Sequence, residues 1–244
     1  MVLQWCQSLA EPVEKLVNEV KYVGTERHTE MVSALLAAAC QPDGEYPVGA
    51  INSIYFDTPN RQFHDETLNG DNLNLKVRLR WYGRPGPLTD EDVPVFIEAK
   101  HRLGSARRKT RIAVRAPERW LATVPLDDPG LVDFLYRHAA ELGEAIPHIL
   151  SPSVCISYSR QRYICPVTGS RVALDWQIRA GRVNPARFPT VGPVHLDCIV
   201  VEFKNQTKEL PAWSYPLFQM GLRLRSFSKY GECMNQVLQG GAPL

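Results

Sequence analysis

Lys76, Arg78 and Arg80 stand at alternate positions in Leu73-Asn-Leu-Lys-Val-Arg-Leu-Arg-Trp-Tyr82, and Glu98 and Lys100 alternate in Val95-Phe-Ile-Glu-Ala-Lys100. Side chains two apart on a strand leave the same side of the pleat, so each run carries a charged face opposite an apolar one (Leu75, Val77, Leu79, Trp81; Val95, Ile97, Ala99). Three cations stacked about 7 Å apart on one strand repel one another and call for an anion. Arginine meets phosphate oxygens through two parallel N–H donors and lysine supplies compact positive charge. The chemistry indicated is the gripping of phosphates.

The same pattern recurs along the chain. Strands are predicted over 18–23 (Glu19 and Lys21 against Val20 and Tyr22), 50–57, 106–114 (Lys109, Arg111), 153–163 (Tyr158, Arg160, Arg162), 171–178 (Arg171, Asp175) and 196–204 (Glu202, Lys204), besides the two above. Helical spacing marks 26–40, with Thr25 as N-cap, then 117–124, 211–222 and 229–238. It also marks 129–142, with Asp128 as N-cap, Pro129 in first position and Gly143 as terminator. Residues 1–17 carry a weak apolar period (Leu3, Leu9, Val13, Leu16) and read as a covering helix. Residues 83–94 and 180–193 are rich in Gly and Pro and read as loops. There is no repeat or long linker, so residues 1–244 read as a single domain.

On the polar faces, with Lys229 added, lie twelve cations (Lys21, Lys76, Arg78, Arg80, Lys100, Lys109, Arg111, Arg160, Arg162, Arg171, Lys204, Lys229) and four anions (Glu19, Glu98, Asp175, Glu202). The excess of +8 compares with +2 for the whole chain, so positive charge is concentrated on these faces. Charged faces turned inward and apolar faces covered by helices suggest an α+β fold, a barrel with a basic, polar lumen and helices outside. Mg²⁺ or Mn²⁺ is held by one or two carboxylates plus substrate phosphates, which makes Glu202 and Glu98 the metal candidates. The plain alternative pairs each acid with its i+2 neighbour: Glu19 with Lys21, Glu98 with Lys100, Glu202 with Lys204. For Glu19 that pairing is preferred.

Other classes lack their marks. Six scattered cysteines without a CxxC pair read as reduced thiols of a cytoplasmic protein. No run of about 18 apolar residues exists and the start lacks the features of a secretory signal. The six histidines show no ligand spacing, and no GxSxG, P-loop or GxGxxG stands in a matching context. Few aromatics interleave with the cations, which disfavours nucleic acid as partner.

Nine segments in order carry a resemblance: Glu19-Val-Lys21-Tyr, Ser53-Ile-Tyr-Phe-Asp-Thr-Pro59, Leu75-Lys-Val-Arg-Leu-Arg-Trp-Tyr-Gly83, Phe96-Ile-Glu-Ala-Lys100, Lys109-Thr-Arg111, Tyr158-Ser-Arg160, Arg171-Val-Ala-Leu-Asp175, Val201-Glu-Phe-Lys204 and Ser228-Lys-Tyr230. Over residues 18–238 the chain resembles the VTC domain. This is the polyphosphate polymerase domain of the vacuolar transporter chaperone complex, within the CYTH-like triphosphate tunnel metalloenzymes.

The resemblance implies an antiparallel eight-stranded β-barrel tunnel in which Lys21, Lys76, Arg78, Arg80, Lys100, Lys109, Arg160 and Lys229 grip ATP or polyphosphate. Tyr158 would hydrogen-bond phosphate and Glu202 would hold Mn²⁺ or Mg²⁺. Arg111, Arg162, Arg171 and Lys204 join the substrate face by alternation. Glu19-Val-Lys21 departs from the ExExK of the CYTH phosphatases by having no earlier acid, which favours the polymerase-like branch. The chain shows neither an SPX domain nor membrane helices, so association with a membrane partner is an expectation only. The activity expected is metal-dependent transfer of the ATP γ-phosphate to a growing polyphosphate chain. The alternatives are a tripolyphosphatase or nucleoside triphosphatase, and a non-catalytic polyphosphate- or nucleotide-binding module.

Overall fold

A computed structural model describes residues 18–69, 73–84, 86–103, 106–205 and 210–240; the covering helix expected over 1–17 lies outside them. The chain begins with β1 (Asn18–Gly24), a 3-10 turn (Glu26–His28), α1 (Thr29–Ala39), β2 (Gln41–Pro42) and β3 (Val48–Asp57). There follow α2 (Gln62–Asn69), β4 (Leu73–Gly83), β5 (Asp92–Leu103), β6 (Ala106–Pro117), α3 (Glu118–Thr123) and α4 (Pro129–Ala139). The rest comprises β7 (Ser151–Ile164), β8 (Arg171–Val183), β9 (Val194–Leu196), β10 (Ile199–Asn205), α5 (Tyr215–Gln219), β11 (Arg223–Leu224) and α6 (Lys229–Leu238).

The eight expected strands are the long strands of one antiparallel sheet, and β2, β9 and β11 are short additions. Among the described residues the order is β11-β1-β10-β8-β7-β3-β4-β5-β6, with β2 on β7 and β9 on β8. The sheet is therefore open and eleven-stranded, not the closed eight-stranded barrel expected. Closure needs two edge strands free to pair with each other. The outer edge of β1 is already engaged by β11 through Tyr22↔Leu224 and Val23↔Arg223.

The open sheet is strongly curled. Six ladder steps of about 4.8 Å would separate β1 from β5 by about 29 Å if it were flat. Yet Lys100 Nζ on β5 lies 3.8 Å from Glu19 Oε2 on β1. The polar faces of distant strands thus meet across a trough.

Alternation assigns the convex face to the core. Val77, Leu79, Trp81, Val95 and Ile97 pack with Leu121 of α3 and Leu131 and Leu135 of α4. Tyr22, Val172, Leu174, Val201 and Phe203 pack with Val32 and Leu36 of α1. Each such side chain contributes about 1.5–3 kcal/mol on full burial.

One helix departs from the expected outer layer. Tyr230, Cys233, Met234 and Val237 of α6 pack on Val23, Ile51, Tyr55, Ile156, Tyr158, Ile178 and Val200. Register puts Ile51 beside Tyr158, and Val23 beside Val200, on the face that carries Arg80 and Glu202. One end of the concave face is apolar, and α6 seals it because water there would contact only hydrocarbon and rings.

The local signals hold in part. Asp128 Oδ1 accepts from Gly130 N at 2.7 Å, and Gly143 ends the segment at φ 63°. Ser228 caps α6 by accepting from Gly231 N at 3.2 Å. Thr25 makes no cap hydrogen bond; it precedes the 3-10 turn, and α1 starts at Thr29. α2 was not foreseen: Asp57 creates it by accepting from the amides of Phe63 and His64 with its two carboxylate oxygens. No helix among the described residues is long and apolar enough to cross a membrane.

Candidate functional site

The trough is lined by cations and acids from every long strand except β3, which contributes the hydroxyls of Ser53 and Tyr55. Cross-strand registers put Lys21 beside Glu202, Arg160 beside Asp175, Ser53 beside Arg80, Tyr55 beside Arg78, Arg78 beside Glu98, and Lys100 beside Lys109. Opposed residues on neighbouring strands share a face, so these side chains all enter one space.

Each acid stands between two cations. Glu98 Oε2 accepts from Arg78 Nε at 2.6 Å, and its Oε1 lies 3.0 Å from Lys109 Nζ. Asp175 accepts from Arg160 through both oxygens at 2.5 and 2.6 Å, and from Lys229 Nζ at 2.5 Å. Glu202 lies 3.3 Å from Lys204 Nζ and 3.9 Å from Lys21 Nζ. Glu19 lies 2.7 Å from Lys21 and 3.8 Å from Lys100. The i+2 pairing thus holds for Glu19 and Glu202. Glu98 instead turns to Arg78, directly opposite on β4, and to Lys109, diagonally across on β6.

Glu98, Asp175 and Glu202 are buried and Glu19 is half-buried, and burial alone raises a carboxyl pKa. The surrounding cations outweigh it. Glu98 is held below the usual carboxylate range by Arg78, Arg80 and Lys109, and Asp175 by Arg160 and Lys229. Lys204, Arg160, Lys21 and Lys229 hold Glu202 well below it. The Lys229 ammonium is disfavoured by burial but raised overall by Asp175. Burial pushes the Tyr158 phenol up, while Arg80, Arg160 and Lys229 pull it down further. All four carboxylates are anionic at neutral pH, so they orient the cations and offset only part of their charge.

Hydroxyls complete the set. Arg78 Nη1 donates to Tyr55 Oη at 2.8 Å; Arg80 donates to Ser53 Oγ at 3.1 Å and to Tyr158 Oη at 3.4 Å. Lys229 Nζ sits 4.6 Å from the centre of the Tyr158 ring. Exposure grades along the trough. The side chains of Lys229 and Arg160 are 10% and 15% exposed near α6, whereas those of Lys100 and Lys204 are 43% and 46% exposed towards the mouth.

Of the residues singled out from the sequence, Lys21, Arg78, Arg80, Glu98, Lys100, Lys109, Tyr158, Arg160, Glu202, Lys204 and Lys229 are brought together. Lys76 joins them by register opposite Lys100. Arg162 lies at the rim, where it donates to the Tyr46 carbonyl at 3.0 Å. Arg171 is exposed beside Lys204, and the Arg111 guanidinium lies over Phe96 at 4.5 Å. Ser53 and Tyr55 enter the site without having been singled out, and Glu19 and Asp175, expected on the polar faces, enter it without having been given a binding role. Period two in Ser53-Ile-Tyr55 already placed both hydroxyls on one face.

The two metal candidates differ. Both oxygens of Glu98 are engaged, one by Arg78 and one by Lys109. Glu202 has longer contacts, and it shares Lys21 with Glu19, so two carboxylates border one position. That donor set fits a divalent cation completed by substrate phosphates. Among the described residues no group of three or more His, Cys, Asp or Glu side chains forms a protein cage.

A model of the VTC domain matches residues 16–238. No match is found among curated proteins. Among solved structures, the chain is similar to a protein from Pyrococcus horikoshii OT3 at 14% identity, covering 90% of this chain and 99% of that one with a TM-score of 0.47. It is also similar to a candidate adenylyl cyclase from Hippeastrum described as having a dominant triphosphatase activity (14% identity, 89% and 94% covered, TM-score 0.49). A candidate adenylate cyclase from Bacillus halodurans is similar at 15% identity, with 93% and 91% covered and a TM-score of 0.44.

Proposed function

The chain belongs to the VTC domain family, and from that premise we propose that it is a metal-dependent phosphotransferase extending inorganic polyphosphate with the γ-phosphate of ATP. The observation that carries this reading is the arrangement of the acids. Four carboxylates, three of them buried, each stand between two cations and offset only part of the positive charge on one curled face. A run of phosphates is the ligand whose charge spacing and oxygen geometry match such a face.

Lys229, Arg160 and Arg80, near the sealed end, bind the most deeply inserted phosphate, and Tyr158 donates its hydroxyl there. Arg78, oriented by Glu98 and Tyr55, grips the next. Lys76, Lys100, Lys109 and Lys204 attract and guide the chain towards the mouth, with Arg111, Arg162 and Arg171 at the rim. Glu202, with Glu19 beside it, would hold Mn²⁺ or Mg²⁺, which when bound neutralises phosphate charge and polarises phosphoryl oxygens. The terminal oxygen of the polyphosphate attacks the γ-phosphorus, so no protein nucleophile is needed. Arg78, Arg80 and Arg160 stabilise charge on the equatorial oxygens as ADP departs.

Incubating the protein with ATP and Mn²⁺ or Mg²⁺ and resolving the products tests the reading. Polyphosphate chains lengthening with time are expected. Orthophosphate alone would replace it with triphosphate hydrolysis, and tight binding without turnover would replace it with a binding module.

A further inference from the structure

The C-terminal end of β7 carries a second reactive group. β2 pairs with β7 through Gln41↔Ile164 and Pro42↔Tyr163. One more step in that register sets Cys40 opposite Cys165. Neither amide crosses the gap, since Cys40 N donates to Leu36 O and Cys165 N to Ser170 O. A non-hydrogen-bonded antiparallel pair brings its Cα atoms to about 4.5 Å with side chains on one face. That separation falls within the range of about 4.4–6.8 Å a disulfide spans. Both thiols are free, and they are in hydrogen-bond contact.

A buried cysteine ordinarily packs as a small apolar side chain and gathers no donors. Cys165 is different. Its sulfur accepts from the Trp213 indole Nε1–H at 3.4 Å, and also from the Thr168 hydroxyl and the amides of Val167 and Thr168. Burial pushes this thiol up, and the four donors bring it down to about 7. Cys40 moves the other way: burial and the adjoining sulfur push it up to about 12. One member of the pair ionises near neutrality while its neighbour keeps its proton, the asymmetry of an attacking and a resolving thiol. Cys198 and Cys233 provide the contrast within this chain. Burial raises both, Cys198 to about 11, and Cys198 pushes Cys233 up further.

We propose that Cys165 and Cys40 form a peroxide-oxidisable pair that closes to a disulfide joining the end of β7 to the exit of α1. The Cys165 thiolate attacks a hydroperoxide oxygen. An S–O bond forms, the O–O bond breaks, and the leaving oxygen takes a proton to depart as water or an alcohol. The Cys40 sulfur then attacks the sulfenic sulfur. The S–S bond forms, the S–O bond breaks, and hydroxide leaves as water with the Cys40 proton. The two sulfurs together lose two electrons, which the peroxide oxygens gain. Access is through the edge: β2 is two residues long, and a strand so short opens locally at low cost. The bond would fasten the strand that carries Tyr158, Arg160 and Arg162.

The test is peptide mass mapping of the full chain after graded hydrogen peroxide and alkylation in denaturant. A linked peptide pair containing Cys40 and Cys165, lighter by two hydrogens and separated by dithiothreitol, is expected, while Cys198 and Cys233 stay alkylated. In Cys40→Ser, dimedone should label Cys165; in Cys165→Ser, Cys40 should stay unoxidised. Full alkylation of both cysteines in the wild-type chain after peroxide, or earlier oxidation of Cys198 or Cys233, would overturn the assignment. The wild-type readout stands even if a variant fails to fold.

Discussion

Lys229, the first residue of α6, donates to Asp175 Oδ2 at 2.5 Å across 54 positions of sequence, and the same carboxylate holds Arg160 through both oxygens. The contact ties the helix that seals the trough to the strands that line it. A structural element and a candidate phosphate ligand are therefore joined at one fully buried acid.

Replacing that acid is expected to be costly for folding. Asp175→Ala leaves Arg160 and Lys229 facing each other without a counter-charge, and removing one partner of a buried pair costs about 3–5 kcal/mol. Urea denaturation checks this. Adding Lys229→Met should recover part of the loss, because the orphaned ammonium is removed with it. Additive losses would show that the two residues do not interact.

Arg80 offers the opposite case, since it donates hydrogen bonds to the hydroxyls of Ser53 and Tyr158. Arg80→Lys keeps the charge but loses the planar fork. The midpoint of unfolding should move little, while affinity for tripolyphosphate falls about tenfold, or about 1.4 kcal/mol. Isothermal titration calorimetry reads both the affinity and the fraction of active protein. Unchanged affinity would exclude a bidentate role.

For Glu202→Ala, Mn²⁺-dependent turnover should be lost while polyphosphate binding without metal persists, since Lys21 and Lys204 are released to the ligand. Calorimetry with Mn²⁺ in the presence of a non-hydrolysable triphosphate should show weakened metal binding. Undiminished turnover would remove Glu202 from the metal role.

The depressed carboxyls make a pH prediction. Their ordinary values are 4.5 for Glu98 and 3.8 for Asp175, and both are lowered in the folded chain. A lowered folded pKa means that the unfolded chain takes up protons first as pH falls. The stabilisation is complete above about pH 4.5 and declines below it, by about 1.4 kcal/mol per group and pH unit. The stability gap between wild type and Asp175→Asn should therefore be constant from pH 8 to 5 and narrow towards pH 3. A gap unchanged at pH 3 would show that Asp175 is not anionic in the native state.

Much of the site was legible because a strand has a side-chain period of two. Lys76, Arg78 and Arg80 face one way whatever surrounds them, and cross-strand registers extend that rule to Glu98, Tyr158, Arg160 and Glu202. Ser53 and Tyr55 obeyed the same period but are uncharged, so they did not stand out beside the cations. Helix α2 was missed because six of its eight residues are polar and its start is set by Asp57, a buried acid at the end of the preceding strand.

Alternation and composition alone were enough to establish an antiparallel α+β domain with a basic face opposed to an apolar one, since both follow from local backbone geometry. Three matters depended on contacts between segments remote in sequence. β11 occupies the edge of β1 and leaves the sheet open. α6 turns inward because the far end of the charged face is hydrocarbon. Glu98 abandons Lys100 for Arg78 and Lys109, because which partners an acid meets depends on strand register and curl, and neither is encoded in spacing along one strand.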